Sequence, residues 1–500
     1  MRALSRASTT PSATCKHIDA DSPCSFQRSQ TANSYLLKPG RYDWSPYSTP
    51  FRSPIAPQPN HSMFLQRAIS RATTRFMEPS MKEELLDEDT SGSKLGDFEA
   101  VITIINTVVG VILLQVPFAM YLSGFVGALM LVIVTIVMGY TASLIGLELD
   151  MLDSLADEQD VPVDGRDLGW IAFVAFGDHG KRFVSMLFGA ELYLACISFL
   201  LLSATNISLL CGIGMQTAIT FCALACASLQ AFLALDPQRC MRLLAYASSI
   251  SITSLVVTSL GLIATGIVGA SATGLPQSDY SMLSTGSGVP RALGIMLFVF
   301  AGHPCMPQIY YAMSNASQSY PPVVKKSFST ACGIYLFVGL GGYLLFGSAV
   351  AKDFVDNLGR TAAGMDIGWM AWLRIFAQVA ISVKIIGTFP IIAEPALGTI
   401  VTSSAYGPAV RVLQRLAFAG ITAAIAIPVQ DEVEAVSALA GGLFTMSTSV
   451  LFPCAAFLKL ATDMSRSQQL TCYTCLIIGI IGLIFCTATS VMAIVGEAKE

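Results

Sequence analysis

Eleven apolar stretches run through this chain, each close in length to the roughly 20 residues that cross a bilayer as a helix. They cover approximately 98–122, 124–147, 183–210, 214–235, 243–270, 292–313, 328–350, 371–397, 411–428, 435–458 and 472–496. With 53% hydrophobic and 12% charged residues and a mean hydropathy of +0.63, the chain is too apolar for a soluble globular protein. The sequence therefore predicts an all-α membrane protein that crosses a lipid bilayer many times.

The first and sixth stretches each carry helix-breaking residues near their middle. Gly110 and Pro117 interrupt the first stretch, and Gly302, Pro304 and Pro307 interrupt the sixth. Backbone groups freed by such a break are tolerated at bilayer depth only where they line a cavity or meet a ligand. Breaks at matching positions of two halves are typical of transporters with inverted repeats, which bind their substrate near the membrane midplane. The two breaks therefore predict a transporter of a small solute.

The first ten stretches divide into two sets of five, about 98–270 and about 292–458, and the eleventh, about 472–496, follows as an addition. Because each set has an odd number of spans, the second set enters the membrane from the opposite face. We therefore predict eleven transmembrane helices in a five-plus-five inverted repeat with helices 1 and 6 broken, within a domain over 96–497. The Lys and Arg residues of the loops are concentrated on the side of the N-terminus, which predicts a cytoplasmic N-terminus.

Residues 1–95 are rich in Ser, Thr, Pro and Arg and contain no apolar stretch of spanning length, which predicts a disordered tail. The cysteines are mostly scattered through apolar stretches without the spacing of a metal site or a disulfide framework, so we expect no metal and no cofactor. The net charge of −4 gives no reason to expect nucleic acid as a partner. The spans contain no paired catalytic aspartates, zinc-spaced histidines or Ser/His pair, so we expect no enzyme activity.

Two ionisable residues lie well inside the predicted spans. Lys384 is about thirteen residues from either end of 371–397, too far from water for its side chain to reach. A charge at this depth is costly and predicts a functional role. Burial can make the Lys384 ammonium lose its proton, which would couple the residue to protons. Alternatively, the ammonium can take the place where related transporters hold a sodium ion. The structural alternatives are an ion pair and a lysine that faces a water-filled vestibule. Three roles stay open for Glu191 in the third span: a proton carrier, the partner of a buried cation, or a hydrogen-bonded structural carboxylate.

Several short motifs occur in a consistent order between Leu95 and Met492. They are Asn106-x-x-x-Gly110 followed by Leu114-x-Val116-Pro117-Phe118-Ala119, then Ser123-Gly124-Phe125, Glu191-Leu192-Tyr193, Phe300 to Pro307, Gly342-Tyr343-Leu344-Leu345-Phe346-Gly347, Asn357-Leu358, Lys384 with Pro390, and Leu451-Phe452-Pro453. Together they resemble the amino acid/auxin permease family, in particular its vesicular inhibitory amino acid and vacuolar amino acid transporter branch.

The resemblance implies a core of ten helices in the five-plus-five architecture, one extra helix, and transport of small amino acids. It also implies that the unwound parts of helices 1 and 6 hold the amino and carboxylate groups of the substrate. The corresponding candidates here are Asn106, Gly110, Val111 and Ile112 in the first span and Phe300, Ala301, Gly302 and His303 in the sixth. Many relatives carry a second glycine where this chain has Ile112, so the resemblance implies either a narrower pocket or a different presentation of the backbone here.

We therefore expect a secondary active transporter of small amino acids that works by alternating access and is coupled to protons, with Lys384 in place of a sodium site and Glu191 as its electrostatic helper. Two alternatives stay open. One is a sodium-coupled symporter of the same fold, in which Lys384 is structural and Asn106 helps to bind the ion. The other is an amino acid sensor that signals through the N-terminal tail. The expected location is a vacuolar, vesicular or plasma membrane.

Overall fold

The computed structural model describes residues 94–235, 255–272, 274–276, 280–284, 286–400, 407–462 and 464–497. Nearly all of the tail predicted over 1–95 lies outside these residues, as does the beginning of the stretch predicted over 243–270. Within the described part of the chain, ten helices are long and apolar enough to cross a membrane, and one bent pair of helices makes an eleventh span. The only β-structure among the described residues is two isolated bridges. The prediction of an all-α protein with eleven spans is confirmed.

The spans follow one another closely along the chain. They are α1a (Asp97–Val108) with α1b (Val116–Ser123), α2 (Val126–Glu158), α3 (Leu168–Cys211), α4 (Met215–Leu235), α5 (Leu255–Ala272), α6a (Gly288–Phe298) with α6b (Met306–Ala312), α7 (Ala316–Phe346), α8 (Ala371–Ile400), α9 (Pro408–Ala426), α10 (Val433–Leu460) and α11 (Arg466–Glu497). We call the membrane face at which α1a begins the near face and the face at which α1b ends the far face.

The helices form two sets of five, α1 to α5 and α6 to α10, and in each set the first helix is the interrupted one. The odd number of spans per set makes α1 and α6 cross the membrane in opposite directions. The predicted five-plus-five inverted repeat with broken helices 1 and 6 and an added C-terminal helix is therefore confirmed. The added helix α11 packs mainly against α10.

Helix α3 is 44 residues long, which corresponds to about 66 Å and exceeds the thickness of a bilayer. Its backbone turns at Gly177, whose φ of 73° is a left-handed value that side-chain-bearing residues rarely adopt. The turn separates a short N-terminal segment, capped by the Asp167 side chain on the amide of Trp170, from the part that crosses the membrane. That long part of α3 packs along α8.

Helices α6a and α10 approach each other through glycines. A Cβ atom added at Gly294 would collide with the backbone of Ala438, and one added at Gly441 would collide with the carbonyl oxygen of Gly294. Small residues at such crossings let helix backbones come close, which is how membrane helices gain packing energy when lipid removes the hydrophobic driving force.

Helix α10 contains a feature that the sequence did not predict. Between two α-helical ends, Val433–Leu439 and Phe452–Leu460, residues Ala440–Leu451 form a π-helix. The wider winding of a π-helix rotates the side chains that follow it relative to an α-helix of the same sequence, and such segments are frequent at functional sites. Here it redirects two threonines toward α3.

Candidate functional site

The break in helix 1 lies where Gly110 predicted it. Val109 and Gly110 have extended backbone conformations, and the chain then forms a 3-10 turn over Val111–Gln115 before α1b begins. The two halves differ in direction by 54°. Because extended residues cannot continue the helical hydrogen-bond pattern, polar backbone atoms become available at mid-membrane depth.

The break in helix 6 has the same character. Helix α6a ends at Phe298, Ala301 and Gly302 have no helical conformation, and a short 3-10 turn over His303–Cys305 leads into α6b. Pro304 and Pro307 stand at the starts of the 3-10 turn and of α6b, where the missing amide proton is not needed. The interruption predicted from Gly302 and the two prolines is confirmed.

Tyr335 of α7 joins the two breaks. Its buried hydroxyl lies 2.9 Å from the carbonyl oxygen of Val108 and 2.8 Å from that of Val299, and donates its proton between them. A Cβ added at Gly302 would lie 3.3 Å from side-chain atoms of Thr107 and Val108, so the break in helix 6 also packs directly against helix 1. The two breaks therefore face each other and not the lipid.

Tyr335 was not singled out by the sequence analysis. The one signal that points to it is a tyrosine in the middle of an apolar span, where the hydroxyl needs a hydrogen-bond acceptor. Nothing in the local sequence says that this acceptor is a pair of carbonyl groups freed by breaks in two other helices.

Phe300 and His303 are both fully buried, but in different surroundings. The Phe300 ring packs against the rings of Phe328 and Tyr335 on α7. The His303 side chain is bound to α2, because its Nε2 atom lies 3.1 Å from the Met138 carbonyl oxygen and 3.0 Å from the Thr141 hydroxyl. The amides of Phe300 and Ala301 donate to carbonyl oxygens at the end of α6a, and the His303 imidazole is held by a neighbouring helix.

Gly110 adjoins open space. A Cβ added at this residue would meet no atom within 4 Å, and the φ of −111° is one that any residue adopts. The glycine therefore leaves room beside the break and is not needed for a left-handed turn. Ile112, two residues further along the chain, is 93% buried.

Glu191 of α3 is bound by the π-helical segment of α10. Its carboxylate accepts hydrogen bonds from the Thr445 hydroxyl at 2.6 Å and from the Thr448 hydroxyl at 2.8 Å. The same π-helical segment packs against the 3-10 turn of helix 6. The structure thus brings Glu191 to α10 and close to the break in helix 6. The two threonines were not predicted, because their approach depends on the π-helix.

Lys384 lies on α8 and its side chain is half-buried. Within the described ranges, no carboxylate forms an ion pair with it, and the carboxylate of Glu191 is bound by threonines instead. The acidic residue of α8, Glu394, binds the Arg415 guanidinium through two contacts of 2.7 Å. Lys384 is therefore a cation placed within the membrane domain without an anionic partner among the residues that the structure describes.

The two halves of each broken helix differ in exposure. In helix 1, residues 111–120 on the far-face side are all buried, whereas Asn106, Thr107 and Gly110 on the near-face side are half-exposed. In helix 6 the far-face half is mostly buried, while Cys305, just beyond the break, is exposed. The region between the breaks is thus closed toward the far face.

Ion pairs close the far face. Arg291 of α6a pairs with Glu434 of α10 at 3.5 Å, and Lys352 of the α7–α8 connection pairs with Glu432 at 3.2 Å and with Glu434 at 3.3 Å. Both glutamates are at least 95% buried. A short helix of the same connection, Phe354–Asn357, packs against the 3-10 turn of helix 1.

A cavity of about 480 Å³ lies beside Arg291 at the far face. It is lined by Tyr121, Leu122, Tyr280, Ser281, Ser284, Ser287, Gly288, Arg291, Tyr343 and Ser348. The residues described contain no group of three or more His, Cys, Asp or Glu side chains that could hold a metal ion.

Two inverted five-helix sets with interrupted first helices that face each other define a multi-pass membrane transporter of the inverted-repeat class. The sequence profile of one family, described as "Transmembrane amino acid transporter protein", matches residues 94–495. The chain belongs to this family, as the motifs of the sequence indicated.

Known proteins from Arabidopsis thaliana are similar along most of the chain. "Amino acid transporter AVT1C" is 26% identical over 454 residues, covering 87% of this chain and 77% of that protein. "Amino acid transporter AVT1J" is 26% identical over 417 residues, covering 80% of this chain and 90% of that protein. Among solved structures, MhsT in complex with L-phenylalanine has a TM-score of 0.50 at 11% identity and covers 78% of this chain and 98% of its own. This last likeness concerns the fold.

Proposed function

We propose that the protein is a secondary active transporter of small amino acids that works by alternating access and is driven by protons. The observation that carries this proposal is the position of the two breaks, which face each other and share the Tyr335 hydroxyl through the carbonyl groups of Val108 and Val299. Amides that open a new helical segment favour a carboxylate, and free carbonyl groups favour an ammonium. An amino acid carries both groups on one carbon atom. The names of the similar Arabidopsis proteins agree with this substrate class.

The asymmetry of burial between the two faces supports alternating access. The far-face halves of helices 1 and 6 are sealed by ion pairs and by the α7–α8 connection, whereas the near-face halves are more exposed. The opposite conformation requires the Glu434 contacts to separate. These contacts join α6a, α10 and a surface connection, three elements that can move relative to one another without unfolding. The basic near-face loops support a cytoplasmic near face, in a vacuolar, vesicular or plasma membrane.

Proton coupling is supported by Lys384 and Glu191. Lys384 has no anionic partner among the described residues, and holding a charge at this depth costs free energy, which predicts a functional role. Its ammonium can supply the positive charge that a sodium ion supplies elsewhere, and loss of its proton can supply the coupling. Glu191 is the acidic group bound between α3 and the π-helix of α10, beside the break in helix 6.

The proposal is tested by amino acid flux into proteoliposomes, with a pH gradient and a sodium gradient imposed separately. We expect a pH gradient to drive accumulation and a sodium gradient to have no effect. The twenty amino acids tested one by one would identify the substrate. Strict dependence on sodium would assign the coupling to the alternative symporter, and absence of flux for every amino acid would contradict the substrate class.

Variants of Lys384 separate binding from coupling. We expect Lys384→Met to keep the exchange of labelled for unlabelled amino acid and to lose accumulation driven by the pH gradient. Lys326→Met is the matched control, because Lys326 is an exposed lysine near the near-face end of α7. Gradient-driven accumulation by Lys384→Met equal to that of the control would remove Lys384 from the coupling mechanism.

A further inference from the structure

Three polar side chains meet at the far face, where the α7–α8 connection covers the break in helix 1. Asp353 caps the short helix Phe354–Asn357, and Asp356 lies within it. This helix packs against the 3-10 turn Val111–Gln115 and against α8. Asn206 reaches the same place from α3. Asn206 and Asp353 are 100% and 97% buried.

The hydrogen bonds in this group leave acceptors without donors. The Asn206 Nδ2 atom donates to the Leu202 carbonyl oxygen at 2.8 Å and to Asp353 Oδ2 at 3.0 Å, and Asp353 Oδ1 accepts from the amide of Val355. In the part of the chain that the structure describes, no donor reaches Oδ1 of Asn206 or Oδ1 of Asp356, although both atoms are buried. The Asn206 amide turns its nitrogen toward the Leu202 carbonyl oxygen, because a carbonyl oxygen only accepts hydrogen bonds.

The two unpaired oxygens lack a hydrogen-bond donor among the described residues. A carboxylate that binds a proton becomes such a donor. An ionised aspartate only accepts hydrogen bonds, whereas a protonated one also carries an O–H group. Protonation would give the buried carboxyl group a donor to share with an unpaired oxygen, and would remove one of two negative charges that stand three residues apart.

The two arginines near the pair form ion pairs with another carboxylate. Arg360 of the same connection and Arg374 of α8 both bond to the exposed Asp366, at 3.3 Å and 3.1 Å. The packed turn of helix 1, Val111–Gln115, contains no titratable side chain, and α3 presents the neutral amide of Asn206.

The neighbouring residue Lys352 is engaged elsewhere, since it pairs with Glu432 and Glu434 of α10. Burial raises the pKa of the Asp353 carboxyl above its ordinary value. Burial and the nearby charge of Asp353 together raise the pKa of Asp356, even though Arg360 and Arg374 oppose the rise.

We propose that Asp353, Asp356 and Asn206 form a proton-binding site in the far-face cover of the helix 1 break. This inference rests on the proposed function and deepens it, because it states where a proton from the far-face compartment binds. With the proton bound, the connection packs on the 3-10 turn of helix 1 and carries one negative charge fewer. Without it, two buried negative charges repel and loosen the cover, so that the proton controls closure on this side.

Infrared difference spectroscopy on the full-length protein in liposomes tests the site directly. The signal is the C=O band of protonated carboxyl groups, followed as the pH is lowered from about 8 to about 4, a range that spans the ordinary aspartate value of about 3.9 and a raised one. In the wild type, we expect part of the band to appear at pH values well above the ordinary aspartate pKa. We expect this part to be lost in Asp353→Asn and in Asp356→Asn. Asp178→Asn, which removes an exposed carboxylate on α3 close to the near face, is the control and should keep it. An unchanged band in both site variants would overturn the proposal.

Flux measurements test the consequence for transport. If the site is correct, both asparagine variants lose flux driven by a far-face pH gradient and keep amino acid exchange, while Asp178→Asn behaves as the wild type. Asp356→Asn secures the test against misfolding, because Oδ1 of Asp356 has no bond to lose in the described structure. Unchanged pH-driven flux in both variants would overturn the inference. A wild type that ignores the pH gradient would instead overturn the proposed proton coupling, and the infrared titration would then decide the site alone.

Discussion

Tyr335 donates a hydrogen bond to the carbonyl oxygen of Val108 at 2.9 Å, across 227 positions of the chain. The same hydroxyl binds the carbonyl oxygen of Val299, so one side chain of α7 fixes the distance between the two interrupted helices. The hydroxyl thus holds together the two helix breaks that form the halves of the predicted binding site.

Replacing Tyr335 by phenylalanine should therefore impair both stability and transport. Two buried carbonyl groups lose their donor, at a cost of about 1–3 kcal/mol for each group left unsatisfied. The substrate affinity measured by exchange should fall by about tenfold or more, since about 1.4 kcal/mol corresponds to a factor of ten. Tyr320→Phe is the matched control, because Tyr320 is also a fully buried tyrosine of α7 and binds one carbonyl group, that of Ala142, away from the breaks. Equal affinity loss in both variants would contradict a specific role.

Adding a methyl group at Gly110 should change the substrate and leave the fold intact. The Cβ atom of Gly110→Ala would enter space with no atom within 4 Å, and the backbone conformation suits alanine. We expect thermal unfolding like that of the wild type, with weaker binding that depends on side-chain size. Gly333→Ala on α7 also adds a Cβ in open space and should leave binding unchanged. Substrate selectivity identical to wild type in Gly110→Ala would place the open space outside the binding site.

Glu191→Gln should uncouple transport from the pH gradient. Glutamine keeps the size and an oxygen that accepts from Thr445 or Thr448, but it cannot bind a proton in the same way. Gradient-driven accumulation should fall by about tenfold or more while amino acid exchange persists, as expected when a group essential to one step is removed. Glu148→Gln is the control and should keep gradient-driven accumulation. Glu148 is also a fully buried glutamate, but it lies on α2. Full coupling in Glu191→Gln would assign Glu191 a structural role.

The stability of the far-face cover should fall as the pH rises. Because the folded-state pKa of Asp356 is raised, the folded protein retains a proton that the unfolded chain releases above about pH 3.9. The stabilising contribution of the protonated pair is complete below that pH and is lost as the pH rises through the raised pKa. Thermal unfolding in detergent should show this decline in the wild type and a weaker one in Asp356→Asn.

Asp366 on the same connection gives a contrast of opposite sign. The hydrogen bond to Arg374 holds the pKa of Asp366 below its usual value, so its contribution is present above that value and lost on acidification. A decline with rising pH that is identical in wild type and Asp356→Asn would contradict the raised pKa of the pair.

The substrate should protect Cys305 from thiol reagents. This cysteine is exposed and follows the break in helix 6 directly, so a reagent that reaches the binding region should modify it. Cys211, exposed at the far-face end of α3, is the internal control that substrate should not protect. Mass spectrometry of the labelled protein measures both sites at once. Equal labelling of Cys305 with and without a transported amino acid would show that the substrate binds elsewhere.

The sequence by itself determined the spans, their number, the inverted arrangement and the places where helices 1 and 6 come apart. These properties depend on local composition: a run of apolar residues long enough for the bilayer, and Gly or Pro where a helix cannot continue. Gly110 and the group Gly302, Pro304 and Pro307 were sufficient to locate both breaks.

Only the tertiary structure decided which side chains serve those breaks. The Tyr335 hydroxyl reaches Val108 and Val299, His303 is held by α2, and Glu191 meets Thr445 across 254 positions. The π-helix of α10 that turns the threonines toward α3 leaves no periodic signal in the sequence. A hydrogen bond between distant helices depends on how the helices pack and rotate, and composition near either residue does not specify that rotation.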